Sequence, residues 1–259
     1  MFFDSHTHLE EDAIEAIQGS DSNISYVMDI GTDLETSLRA VEHAATYPWC
    51  YAVVGYHPHE ARFMGDVELS MIAALAKKPK VKAIGEIGLD FHYNYSEPDV
   101  QRDCFRKQIR LANDFQMPIV IHSREADQEV MDILKEEQAF ANTRKTWFKG
   151  KAGVLLHCYS GSREMAEQYV KLGADISIAG PVTYKNNRRT IETVQAIGLE
   201  HLMIETDAPY LTPEPHRGKR NQSPYVMFTA MKVAAIKGIT LEEVAKATCQ
   251  NAKTFFGIV

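Results

Sequence analysis

The chain opens on two histidines one residue apart, His6 and His8 in the run DSHTHLE. After them, at wide intervals, come His57 and His59, Glu86 and Asp90, His122, His157, and finally Glu205 with Asp207. A one-residue gap on an extended chain turns both imidazoles to the same face. Imidazole and carboxylate together are donors for a divalent ion, and such an ion can both polarise an ester and generate a nucleophile from water. One H-x-H pair alone proves little, because 10 His in 259 positions give roughly 0.4 such pairs by chance. Four imidazoles and two carboxylates gathered in one place are a different matter. Without a cation the carboxylates would be crowded and partly desolvated, a cost that a bound metal removes.

The elements that could gather them are a run of short β-rich segments alternating with helical patterns. Strands are expected at 1–4, 24–30, 50–55, 81–84, 118–121, 153–156, 174–178 and 202–204. A helix is expected over 99–115, where Phe105, Ile109, Ala112 and Phe115 recur at helical spacing, and another over 125–137, with Val130, Ile133 and Leu134 on one side. The last helix opens on Thr240 with Glu243 three residues later, a capping box, and runs to Phe256 with Gly257 as its stop. The stretch 142–150, carrying Arg144, Lys145 and Lys149, reads as a surface insertion near the rear face. Eight strand-helix pairs predict an α/β fold, a single-domain TIM (β/α)8 barrel over 1–259, with an open doubly wound sheet as the alternative. In a barrel the catalytic groups come from the C-terminal ends of several strands, and the histidines and carboxylates fall just after the expected strands.

Four His and two carboxylates exceed the three protein ligands usual at one catalytic zinc, so two divalent ions are expected. Two such ions share a bridging carboxylate and a bridging hydroxide nucleophile. Glu86, in the middle of the strand order, is the expected bridge. His6, His8, Glu86 and Asp207 are assigned to one ion, and Glu86, His122 and His157 to the other. Asp207 is also placed to take the proton of the attacking water, which makes Asp207 and Glu86 the expected catalytic residues. Glu205 reads as the hydrogen-bond acceptor that orients a ligand imidazole. Imidazole softness favours Zn²⁺, Mn²⁺ or Ni²⁺.

Composition narrows the setting. A formal net charge of −7 opposes tight, sequence-independent binding to long duplex nucleic acid. The start shows no signal-peptide pattern and no stretch is apolar enough for a membrane span, so a cytoplasmic protein without membrane contact is expected. Cys50, Cys104, Cys158 and Cys249 are too widely spaced for a zinc knuckle or a redox pair and read as buried free thiols.

In this order these residues resemble the TatD family of metal-dependent hydrolases, within the amidohydrolase-like barrels. The resemblance runs nearly end to end: DSHTHLE, GYHPHEA, GEIGLDF, PIVIHSREA, LLHCYSGS, ETDAPYLTP, RGKRNQ and NAKTFFG. It implies a TIM barrel, two divalent ions with Mg²⁺ as the working metal, and 3′-to-5′ nuclease activity on DNA. It also puts His6, His8, Glu86, His122, His157 and Asp207 on the family's metal-ligand positions. Tyr159 and Ala208 stand where many members have Phe and Ser, and neither change removes a ligand.

Substrate must be argued from the site, since the fold serves phosphodiester, amide and ester hydrolysis alike. Two ions suit in-line phosphoryl displacement. Arg124 follows His122, and Arg217, Lys219 and Arg220 follow the eighth strand, where guanidinium groups could hold phosphate oxygens. His57 reads as a substrate contact and His59 as structural; Phe91, Tyr93 and Tyr159 could stack a terminal base. The leading expectation is a metal-dependent exodeoxyribonuclease trimming DNA ends or single-stranded DNA, with no obligate protein partner. The alternatives are an ester or amide hydrolase on the same metals, such as a D-aminoacyl-tRNA deacylase, and a non-catalytic metal-dependent binding protein.

Overall fold

A computed structural model describes residues 1–20 and 22–259. Strands β1 (Phe2–Thr7), β2 (Ile24–Ile30), β3 (Cys50–Val54), β4 (Val81–Asp90), β5 (Ile119–Arg124), β6 (Val154–Leu156), β7 (Asp175–Ile178) and β8 (Leu202–Ile204) alternate with helices. They follow chain order in one eight-stranded sheet. The β3/β4, β4/β5, β5/β6 and β7/β8 pairs are parallel. This is the element order of the (β/α)8 fold expected from the sequence. The open doubly wound alternative, which needs a reversal in strand order, is excluded.

The chain forms two compact units, one of Met1–Met28, His157–Lys171 and Asp175–Val259, the other of Asp29–Leu156 and Leu172–Ala174. In the first, Phe3 of β1 is buried and stacks on Phe256, with ring centroids 6.2 Å apart, at the end of the helix Leu241–Phe255. That helix has the expected capping box: the Thr240 hydroxyl accepts the Glu243 N–H at 3.2 Å, and the Glu243 carboxylate accepts the Thr240 N–H at 2.8 Å. Gly257 ends it at φ 61°, in the left-handed conformation that glycine enters without steric penalty. In the second unit, the helices Pro98–Asp114 and Asp127–Glu136 bury the apolar faces read from their periodicity, including Phe105, Ile109 and Ala112 on one and Val130, Ile133 and Leu134 on the other.

Three expectations need correction. The first, fourth and fifth strands run further than expected, to Thr7, Asp90 and Arg124, so His6, Glu86 and His122 lie within strands. The reason at β4 is Gly88, at φ 150°: a Cβ there would come within 1.9 Å of His122 O, so only glycine lets β4 approach β5 at this register. Second, 142–150 lies mostly at the surface, as expected, but one of its basic side chains is buried. The stretch forms a short helix, Asn142–Trp147, whose Arg144 is 1% exposed. The guanidinium donates to Ala152 O at 2.9 Å, Asn113 Oδ1 at 2.7 Å, and Met117 O and Gly153 O at 3.1 Å each, tying down the chain that enters β5 and β6. Third, Cys50 and Cys104 are buried but Cys158 and Cys249 are only partly so.

Candidate metal centre

In the first unit the pairing of β1 with β8 continues past the end of β8. The Asp207 N–H donates to His6 O at 2.9 Å and the His8 N–H to Ala208 O at 2.8 Å. This register sets His6, His8 and Asp207 side by side. Asp207 Oδ1 lies 3.7 Å from His6 Nε2 and 3.6 Å from His8 Nε2. Both separations are too long for hydrogen bonds. Both are close to the roughly 3.4 Å edge of a tetrahedron whose corners stand about 2.1 Å from a central ion. Asp207 has φ 56°, a left-handed backbone that a non-glycine residue keeps only when its surroundings hold it. Here its N–H is bonded to His6 O, and its carbonyl accepts the Tyr210 N–H at 2.9 Å. Burial pushes the Asp207 carboxyl up, but His8, His6 and His157 outweigh it, leaving the group below the usual carboxylate range.

His157 stacks on His6 with ring centroids 3.8 Å apart and planes 12° from parallel. Its Nδ1 is 3.2 Å from Glu205 Oε1, which also accepts the Cys158 N–H at 2.6 Å. A carboxylate on Nδ1 holds the proton there and turns the Nε2 lone pair outward, as a ligand imidazole requires. Glu205 Oε2 is buried and makes no hydrogen bond among the described residues. His6, His157 and Glu205 each offer a donor atom within 4.8 Å of the others. Beneath them, wholly buried Asp4 accepts the Thr206 N–H at 2.9 Å and the Thr206 hydroxyl at 2.6 Å. Burial pushes its carboxyl up to about 7 against those bonds.

In the second unit, Glu86 and His122 meet because Gly88 lets their strands close up. His122 Nδ1 is 2.8 Å from Glu86 Oε1, and His122 Nε2 is 3.1 Å from Asp90 Oδ2. Asp90 also takes His59 Nε2 at 2.8 Å on Oδ2, and the His92 and Tyr93 N–H groups at 3.0 and 3.1 Å on Oδ1. Burial pushes the Asp90 carboxyl up, but the bonds from His122, Tyr93 and His59 outweigh it and hold it below the usual range. Each ring nitrogen of His122 therefore faces a carboxylate oxygen, Glu86 Oε1 on one side and Asp90 Oδ2 on the other. With its proton on Nε2, against Asp90, His122 would offer the Nδ1 lone pair beside Glu86 Oε1, 2.8 Å away, as a pair of donors for one cation. His57 differs. Its Nδ1 accepts the His59 N–H at 3.1 Å, so its Nε2 carries the proton and points a donor at Glu86 Oε1, 3.6 Å away. His57, Glu86 and His122 likewise each offer a donor atom within 4.8 Å of the others.

The donor chemistry therefore fits divalent ions in both units. The sequence reading had left two carboxylates without a part: Asp4, which fixes the segment beside Asp207, and Asp90, which fixes His122. Strand parity could have found both, since Asp4 stands two residues before His6 and Asp90 four after Glu86. Of the expected substrate contacts, Arg124 places its guanidinium 4.6 Å from the Tyr93 ring centroid, and Arg217 lies 4.2 Å from that of Tyr184. Tyr159 is 6% exposed and its hydroxyl donates to Ser162 O at 2.8 Å. Arg220 is paired with Glu10 and with Asp12, the latter at 2.8 Å.

Residues 3–257 match the family model of TatD-related DNases. A Bacillus subtilis (strain 168) protein named uncharacterized metal-dependent hydrolase YabD is 40% identical over 264 residues, covering 100% of both chains. The 3′-5′ ssDNA/RNA exonuclease TatD of Escherichia coli (strain K12) is 35% identical over 246 residues, covering 92% of this chain and 90% of its own. The crystal structure of YjjV, a TatD homologue from Escherichia coli K12, superposes with a TM-score of 0.89 at 25% identity, covering 100% of this chain and 98% of that one. The chain belongs to the family of TatD-related DNases, and by that membership it is a metal-dependent hydrolase acting on ester bonds.

Proposed function

We propose that this hydrolase is a 3′-to-5′ exonuclease on single-stranded DNA that works with two divalent ions. The observation that carries metal hydrolysis is the position of Asp207 Oδ1, 3.6–3.7 Å from two imidazole nitrogens, in a set of ligand type at the C-terminal ends of β1 and β8. The phosphodiester substrate is supported by relatives named 3′-5′ ssDNA/RNA exonucleases at 34–35% identity.

His6, His8, Glu86, His122, His157 and Asp207 would hold the two ions, with His157 oriented by Glu205. When bound, divalent ions lower the pKa of water and stabilise the charge that develops on phosphoryl oxygens. The chain's own groups do the rest. Asp207 accepts the proton of the attacking water. His57 donates its Nε2 proton to a non-bridging oxygen of the substrate, a charge-assisted bond. Asp90 keeps His122 in one tautomer, and Glu205 does the same for His157. Arg124 is a contact for a backbone phosphate of the substrate, and Arg217 is another, by the affinity of guanidinium for phosphate oxygens. Mg²⁺, Mn²⁺ and Zn²⁺ all suit an imidazole-carboxylate set to different degrees, and an activity titration against bound metal distinguishes them.

The test is a 5′-labelled single-stranded oligonucleotide incubated with protein and Mg²⁺ or Mn²⁺. The expected result is a ladder shortening one nucleotide at a time from the 3′ end. An intact oligonucleotide, in a preparation shown to contain metal, overturns the reading. Loss of the amino acid from a charged tRNA whose RNA stays whole would replace it with the deacylase.

A further inference from the structure

The loop after β4 carries a pair of tyrosines that neither the ligand set nor the core uses. Tyr93 and Tyr95 lie with ring centroids 5.4 Å apart and planes 1° from parallel. They are 46% and 54% exposed. Arg124 sets its guanidinium 4.6 Å from the Tyr93 centroid. Arg62 donates Nη1 to Tyr95 O at 2.7 Å and places its own guanidinium 4.7 Å from the ring of Phe63, which is itself 56% exposed. Aromatic rings and arginines thus alternate along one surface of the second unit. Glu125, the acidic neighbour of Arg124, is taken up by His92 Nδ1 at 2.6 Å.

Half-exposed rings stabilise the fold less than buried ones, since the hydrophobic gain follows the area removed from water. Yet this loop is pinned by side-chain bonds along its length. Asp90 Oδ1 accepts two of its N–H groups, the Ser96 hydroxyl donates to His59 O at 2.8 Å, and Gln101 Nε2 donates to Ser96 O at 2.9 Å and Asp90 O at 3.0 Å. Two parallel rings on a pinned backbone are preorganised for a flat partner. They also adjoin the candidate ligands through His59. Its ring meets Tyr95 edge-on at 4.8 Å and His57 at 4.3 Å, and its Nε2 shares Asp90 Oδ2 with His122.

We propose that the Tyr93–Tyr95 pair, with Arg124 and Arg62, is a stacking subsite for an unpaired base of a single-stranded nucleic acid. The base belongs to a nucleotide flanking the phosphodiester presented to Glu86 and His122, and this placement alone rests on the exonuclease reading. Bases within a duplex are stacked on both sides and offer no free face, whereas a single strand does. Arginine adds a cation for the backbone phosphates and a plane that stacks on aromatic rings. Stacking reads the face of a base and not its edge, so the subsite accepts all four bases.

The test follows 2-aminopurine fluorescence of a single-stranded pentanucleotide in EDTA, where hydrolysis is stopped. The Tyr93→Ala/Tyr95→Ala double variant should bind about tenfold more weakly than wild type, and Tyr93→Phe/Tyr95→Phe within about threefold of it. Wild type should lose about the same factor when an abasic nucleotide replaces the stacked one, and the alanine variant should lose nothing further. Equal Kd values for wild type and the alanine variant overturn the proposal, as does equal wild-type affinity for the abasic strand. That second arm needs no variant to fold. Base-dependent binding without 3′ release in Mg²⁺ or Mn²⁺ would sink the exonuclease reading and leave the subsite standing. Release with base-independent binding would sink the subsite alone.

Discussion

His57 Nδ1 accepts the backbone N–H of His59 at 3.1 Å, and this one bond separates His57 in role from His122, although both imidazoles face Glu86 Oε1. His57 turns a proton toward that oxygen, whereas His122, with Asp90 on its Nε2, can present Nδ1 there as a metal donor.

His57→Ala should therefore leave bound metal unchanged while lowering kcat/KM on an oligonucleotide by about 10- to 100-fold, the worth of one charge-assisted hydrogen bond. Metal content by elemental analysis beside steady-state kinetics checks it. Loss of one equivalent of metal would make His57 a ligand instead.

Asp90→Asn removes the charge that keeps the His122 proton on Nε2. Metal affinity should fall by about 10- to 100-fold, as when the partner of a ligand imidazole is lost. Isothermal titration with Mn²⁺ measures this. An unchanged affinity would show that His122 is oriented by Glu86 alone.

Arg144→Met keeps the buried length of the side chain but leaves Ala152 O, Met117 O and Gly153 O without their guanidinium partner. Destabilisation of about 2–4 kcal/mol is expected, a fall in melting temperature of roughly 5–15 °C, with kcat per folded molecule unchanged. Calorimetry with an activity assay separates the two effects.

Glu137 accepts Arg110 through two bonds of 2.7 Å and Arg106 at 3.0 Å. The Arg110 bonds, with Arg106, hold its carboxyl below the usual carboxylate range against a smaller push from burial. A carboxyl whose folded pKa is depressed binds fewer protons in the native than in the unfolded state. Its stabilisation is present above the unfolded value and is lost as pH falls through the folded one. Glu137→Gln should thus be less stable than wild type at about pH 7, with the gap closing toward about pH 3 in urea titrations. A gap that does not narrow would assign the effect to packing.

The order of strands and the ligand-type residues were legible because each depends on short-range pattern. The H-x-H of His6 and His8 states its own geometry once the segment is a strand, and the capping box of Thr240 and Glu243 marks its helix without help from elsewhere. What depended on distant partners was hidden. Gly85 and Gly88 make the second half of β4 look like a turn, because the strand it must approach lies more than thirty residues on. Arg144 looked like solvated charge, because the four acceptors that bury it come from Asn113, Met117, Ala152 and Gly153. Tyr159, two residues after His157, gave no sign of which way its ring would turn, and it turned inward.

The central claim is that hydrolysis depends on ions held by these imidazoles and carboxylates. The most direct measurement strips the protein with a chelator, then titrates Mn²⁺ while following bound metal and 3′ nucleotide release in the same sample. The account predicts no release from the stripped protein, recovery as the second equivalent binds, and neither binding nor recovery to wild-type levels in Asp207→Asn. Release at the full rate with no metal bound would contradict it.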